Sequence, residues 1–121
     1  VPAPNLTLVY VRDAAASTDF YRTLLEIEPI FTSPRYVAFD MAPGVLFALW
    51  SGRSDTLDDA GTRTSEIGIM LTGGAAAIDA TFTDWTRKGV EVVDEPHDEV
   101  FGRTFVVADP DGNLIRVCPV D

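Results

Sequence analysis

The feature that most restricts how this chain can fold is that one pattern occurs in it twice. Asn5-Leu-Thr-Leu-Val-Tyr-Val11 and Ser65-Glu-Ile-Gly-Ile-Met-Leu71 each read as a short strand, and a segment of helical periodicity follows each. In the first half, Ser17-Thr-Asp19 is the expected helix start, with Phe20, Tyr21, Leu24 and Leu25 on one stripe. In the second, Ile78, Phe82 and Trp85 recur at i, i+4 and i+7, and Gly89 after Arg87-Lys88 marks the stop. The later parts align without gaps. Arg35-Tyr-Val-Ala-Phe39 matches Arg103-Thr-Phe-Val-Val107, and Met41-Ala-Pro-Gly44 matches the turn Asp109-Pro-Asp-Gly112. Val45-Leu-Phe-Ala-Leu-Trp50 then matches Asn113-Leu-Ile-Arg-Val-Cys118.

Each half is therefore strand, helix, then three strands, the second strand being weakly marked near Ile30 and Val92. The expected class is α+β: one domain over 1–121, with βαβββ modules at 5–51 and 65–119 and a linker at 52–64 rich in Gly, Ser, Thr and Asp. Strand alternation sorts side chains onto two faces. Ile67, Ile69 and Leu71, with Val45, Phe47 and Leu49, form the expected helix-side rows. Leu6, Leu8, Tyr10, Leu46, Ala48, Trp50, Glu66, Met70, Leu114, Arg116 and Cys118 then share the opposite face. That face is mostly apolar with a few polar groups. It suits either a small-molecule pocket or a face buried by another sheet or a second copy.

Charge narrows the partners. Nine Lys and Arg stand against nineteen Asp and Glu, a formal net charge of -10. Loose nucleic-acid binding and attachment to an anionic membrane both depend on basic residues, so neither is expected. No apolar stretch approaches the roughly 20 residues that cross a bilayer. The acidic runs Asp55–Asp59 and Asp94–Glu99 are expected in loops, as a solubilising surface. The single cysteine, Cys118, excludes an internal disulfide and a multi-cysteine zinc site, and fits a reducing, cytoplasmic setting. The sole histidine, His97, is expected as a solvated residue of the Glu95-Pro-His-Asp-Glu99 loop.

The paired modules, the Phe20-Tyr21 of the first helix and Asp109-Pro-Asp-Gly-Asn113 before the last strand resemble the vicinal oxygen chelate superfamily. That group contains glyoxalases, extradiol dioxygenases and bleomycin-resistance proteins. The resemblance implies cup-shaped mixed sheets, commonly completed across a homodimer. The superfamily's metal enzymes place ligands on the first and last strands of each half, and those places fall here on Leu6, Ala48, Glu66 and Arg116. Only Glu66 offers a donor for a divalent ion. The expectation is therefore no metal, no cofactor and no catalysis, with Glu66 and Arg116 paired to each other. Within the superfamily, runs such as Pro34-Arg-Tyr-Val-Ala-Phe39, Leu46-Phe-Ala-Leu-Trp-Ser-Gly52 and Val100-Phe-Gly-Arg-Thr-Phe105 are similar to phenazine-antibiotic resistance proteins of the griseoluteate-binding type. This implies a dimer that sequesters a flat tricyclic antibiotic between an aromatic ring and an arginine. The matching positions are Trp50 and Arg35.

The residues support that pair independently. A tight turn joins the Arg35–Phe39 and Val45–Trp50 segments into a hairpin, which sets Arg35 across from Trp50 or one position away. A planar heteroaromatic can stack on the indole while the guanidinium covers its other face or binds a carboxylate. Further ligand-contact candidates are Ser51 and Gly52, which follow Trp50; Tyr36, expected on either face; Met70; and Phe101 and Arg103, expected in a loop over the site. Trp85 is expected in the core, and Cys118 lacks the basic neighbour that would activate it. The alternatives within the superfamily are a metal-dependent lyase, isomerase or dioxygenase, and capture of a cationic bleomycin-like drug.

Overall fold

The computed structural model describes residues 2–57 and 63–120. The chain divides into two compact units, Val1–Gly61 and Thr62–Asp121. The first contains β1 (Leu6–Tyr10), α1 (Ala14–Leu25), β2 (Phe31–Thr32), β3 (Tyr36–Ala42) and β4 (Val45–Trp50). The second contains β5 (Glu66–Leu71), α2 (Gly74–Arg87), β6 (Glu91–Glu99), β7 (Gly102–Ala108) and β8 (Leu114–Pro119). Their sheets have the same plan, β1-β4-β3-β2 and β5-β8-β7-β6, with the first pair of each parallel and the rest antiparallel. These are the two βαβββ modules with mixed sheets that the repeat implies. Of the 52–64 stretch, Ser54–Thr56 forms a 3₁₀ turn, while residues 58–62, with part of the Asp55–Asp59 run, lie outside the described residues.

α1 starts three residues earlier than Ser17. The Asp13 carboxylate caps it, accepting from the amides of Ala15 at 3.0 Å and Ala16 at 3.1 Å. Ser17 and Thr18 are instead buried helix positions, and the Thr18 hydroxyl is satisfied by the Ala14 carbonyl at 2.7 Å. The helix lays Tyr21 edge-on against Phe47, with ring centroids 5.0 Å apart. α2 ends before Gly89, whose φ of +84° suits the residue after a helix. It buries Ile78 and Trp85, and Trp85 and Phe82 both meet Phe105 edge-to-face. Phe39 and Phe105 are wholly enclosed, one in each unit, and such burial contributes about 1.5–3 kcal/mol per side chain.

The turn before β8 explains its composition. Asp109 is buried, and its carboxylate accepts from the amides of Asp111 at 2.9 Å and Asn113 at 2.8 Å and from the Asn113 side chain at 2.9 Å. Gly112 takes φ +82°, where a Cβ would be strained. One expectation fails here. Glu95–Glu99 is not a loop but the second half of β6, in register with β7, so His97 pairs with Thr104 and Asp94–Glu99 lies on a strand. Pro96 concealed it, because proline argues against a strand interior; β6 is an edge strand with register shifts on either side of Asp94, where proline is tolerated.

Candidate functional site

The site of interest in the first unit lies on the sheet face turned away from α1. Leu6, Leu8 and Tyr10 of β1 are 50%, 41% and 37% exposed there, whereas Phe47 and Leu49 on the helix side are buried. The β3–β4 hairpin turns at Pro43-Gly44, with Gly44 at φ +75°, and a register shift between Asp40 and Ala42 precedes it. Tyr36 then stands opposite Trp50. The ladder runs one step further, because the Ser51 amide donates to the Arg35 carbonyl at 2.9 Å. Arg35 is therefore one position away from Trp50, and its guanidinium carbon sits over the indole, 5.6 Å from the ring centroid.

Tyr36 shares the face of Trp50, since residues paired across a ladder point the same way, and its ring meets the indole edge-on at 6.5 Å. Phe31 extends the row, 6.0 Å from Tyr36. On the other side of Trp50, the parallel β1–β4 ladder pairs it with Tyr10, and the Arg53 guanidinium lies 5.6 Å from the Tyr10 ring. An aromatic strip thus crosses all four strands, bearing two arginines. Arg53 is missing from the sequence-derived candidates because it lies past the last strand, where no periodicity orients it.

Ser51 and Gly52 act differently from free ligand contacts. The Ser51 amide is committed to Arg35, so Ser51 holds the Arg35 backbone beside Trp50. Gly52 is where the indole rests: a Cβ there would lie only 1.9 Å from Trp50 Cζ2 and 2.2 Å from Cε2. The ring lies back over a position that only glycine leaves empty.

The corresponding face of the second unit is occupied by an ion pair. Arg116 Nε donates to Glu66 Oε1 at 2.7 Å and Nη2 to Oε2 at 3.1 Å. Its Nη1 donates to the hydroxyl of the buried Thr104 at 3.1 Å, and that hydroxyl donates to the Val117 carbonyl at 2.8 Å. Hydrogen bonds from Arg116 hold the Glu66 carboxyl below its ordinary range, and the same contact raises Arg116. The expected pairing is present. The four positions that the resemblance assigns to metal ligands thus hold leucine and alanine in one unit, and in the other a carboxylate with both oxygens engaged by a guanidinium. This donor set does not fit a divalent cation. Among the described residues no three His, Cys, Asp or Glu side chains are grouped to hold a metal ion.

Met70 lies on the Glu66 face of β5 and is 66% exposed. Phe101 is exposed in the β6–β7 turn. Arg103 is not in a loop: it is the second residue of β7, drawn to the helix side by Asp79 of α2 at 2.9 Å and held by Asp98 of β6 at 3.3 Å. A guanidinium so engaged is not presented to a ligand on the opposite face. His97 Nδ1 lies 2.8 Å from the Glu95 carbonyl and Nε2 3.2 Å from Glu99. Trp85 is core, and Cys118 is half-buried opposite Met70.

Comparison with known proteins agrees with this architecture. Residues 3–117 match the profile of the glyoxalase/bleomycin resistance protein/dioxygenase superfamily, and the chain belongs to that superfamily. It is 50% identical over 121 residues to the phenazine antibiotic resistance protein EhpR of Enterobacter agglomerans, an alignment covering 98% of this chain and 92% of that protein. Among solved structures, protein ATC0852 of Agrobacterium tumefaciens is 30% identical with a TM-score of 0.79, covering 100% of this chain and 99% of that one. A lactoylglutathione lyase of Agrobacterium tumefaciens shares the fold at 20% identity and a TM-score of 0.72, covering 97% of this chain and 92% of that one. Among the described residues no helix is long and apolar enough to cross a membrane.

Proposed function

We propose that this member of the superfamily confers antibiotic resistance or self-protection by binding and sequestering a planar aromatic antibiotic of the phenazine or griseoluteate type, without transforming it. The observation that carries the reading is the Arg35 guanidinium poised over the Trp50 indole, on an exposed aromatic face, in a chain half identical to a phenazine antibiotic resistance protein. A flat ring held between indole and guanidinium needs two contacts of about 3.5–4.0 Å, or about 7–8 Å between the planes. The present separation is 5.6 Å to the ring centroid, and Arg35 is exposed. An outward swing of about 2 Å by a long side chain opens the slot. Stacking on the indole contributes about 0.5–1.5 kcal/mol beyond area burial. A bidentate carboxylate contact adds orientation. Tyr36 walls the slot, Gly52 seats the indole, Ser51 fixes the Arg35 backbone, and Met70 and Phe101 are secondary contact candidates.

The absence of catalysis in this reading rests on the donor set: with Glu66 tied to Arg116, nothing at the four metal places is arranged to polarise a substrate oxygen. Binding takes place in a cytoplasmic homodimer whose sites are lined by both chains. Calorimetric titration with phenazine-1-carboxylate and griseoluteic acid tests it. Trp50→Ala is expected to weaken binding at least about tenfold, roughly 1.4 kcal/mol, and the ligand is recovered unchanged. Wild-type affinity no better than millimolar across a phenazine panel refutes the reading. A stable monomer in light scattering refutes the dimer alone.

A further inference from the structure

We infer that Arg53, over Tyr10, is a second anchoring residue of the same site, so that the ligand carries an acceptor or anionic group towards each end of its ring system. This rests on the binding function proposed above and extends it to the ligand's substitution pattern. Tyr10 and Trp50 are partners on the β1–β4 ladder, so the two residues stand on adjacent strands about one strand spacing apart, roughly 4.8 Å. Each carries a guanidinium at the same distance, 5.6 Å from the ring centroid. In this arrangement a fused ring system that stacks on the indole and extends across to β1 meets Arg35 at one end and Arg53 at the other.

The charge pattern separates these two from the arginines that are spent in ion pairs. Arg22, Arg103 and Arg116 each bond a carboxylate. Neither Arg35 nor Arg53 has a hydrogen-bond or ion-pair partner for its guanidinium among the described residues, although acidic side chains outnumber basic ones two to one. Both stand over rings, which leaves their N–H edges free to donate. The backbone of Arg53 is held in place: its carbonyl accepts from the Thr56 amide at 3.0 Å and the Thr56 hydroxyl at 2.7 Å, while the Ser54 amide donates to the Ser51 carbonyl at 3.2 Å. The short turn after β4 therefore presents a second guanidinium to the same aromatic strip.

Calorimetric titration of wild type, Arg53→Gln and Arg35→Gln with phenazine-1-carboxylate and phenazine-1,6-dicarboxylate tests the assignment. Wild type is expected to bind the dicarboxylate more tightly. Arg53→Gln should weaken the dicarboxylate about tenfold and the monocarboxylate less than about twofold, while Arg35→Gln weakens both. If wild type binds the monocarboxylate but Arg53→Gln leaves both affinities unchanged, or lowers both equally, Arg53 is not a second anchor. If wild type binds neither compound, it is the phenazine-binding function itself that fails. Both positions are exposed, so unchanged circular dichroism is expected for each variant.

Discussion

Replacing Gly52 with alanine isolates the seat of the Trp50 indole from the rest of the site. A Cβ at that position would stand 1.9 Å from Cζ2, 2.2 Å from Cε2 and 2.6 Å from Cη2 of Trp50. Carbon atoms rest at about 3.5–4.0 Å, so the ring must retreat by at least about 1.6 Å. The clash falls on the outer ring of a side chain that is only half-buried, so the indole can yield. An off-rotamer adjustment costs about 0.5–1.5 kcal/mol. Against it, Gly52 does not use a positive φ, and alanine at such a site restricts the unfolded chain, stabilising by about 0.4–1 kcal/mol. The two terms nearly cancel, and the melting temperature should move by only a few degrees. Binding has no such compensation. A displaced indole loses its stacking geometry, worth about 0.5–1.5 kcal/mol, so Kd for phenazine-1-carboxylate should rise about 2.3- to 12-fold. Calorimetric titration beside a thermal melt separates the two effects. A Kd within about twofold of wild type refutes the claim that the ligand depends on where this ring rests. A large fall in melting temperature refutes the claim that the ring can move freely.

Two further outcomes concern the second unit. Glu66→Gln removes the carboxylate from Arg116 and is expected to lower stability by about 1 kcal/mol, the upper end for partly exposed pairs. Because Arg116 holds the Glu66 carboxyl below its ordinary value of 4.5, this contribution is present at neutral pH and disappears as pH falls through the lowered folded value. Wild type and variant should therefore converge in denaturant melts only at acid pH; convergence already at pH 6 refutes the assignment. Asp109→Ala strips three hydrogen bonds from the turn before β8 and should cost about 2–3 kcal/mol in urea unfolding, with a loss under about 0.5 kcal/mol counting against the turn's role.

What could be read from the sequence follows from how many constraints bear on each residue. The modules were legible because strand parity, helical spacing and turn residues agree twice over, and a repeat lets one half correct the other. The Glu66–Arg116 pair was legible because both fall on one face of adjacent strands, where a charge needs a partner. Helix α1 was misplaced by three residues because Ser17 and Asp13 both look like caps, and only burial chooses between them. Strand β6 was hidden by Pro96, which an edge strand tolerates. Arg53 and the seat at Gly52 were illegible for a different reason. Both lie after β4, where side-chain direction is set by hydrogen bonds of a turn rather than by any period.

The aligned pair Arg35 and Arg103 shows how one sequence pattern yields two fates. In the second unit the strand begins at Gly102, so Arg103 is inside β7 and its side is dictated by the pleat; it faces α2, where Asp79 receives it. In the first unit Arg35 is the ladder's last step, its carbonyl bonded to the Ser51 amide just before the strand proper at Tyr36, and at this frayed end its side chain turns over Trp50. The places beside them diverge in the complementary sense. Arg116 reaches across its sheet to Glu66 and Thr104 and places an ion pair on that face, while the aligned Ala48 is a small, wholly buried residue that brings no charge to the face beside Trp50. Different positions of the arginine relative to the strand end, and one small residue in place of a long one, thus distinguish an ion-paired sheet face from an aromatic one whose two arginines bond no carboxylate among the described residues.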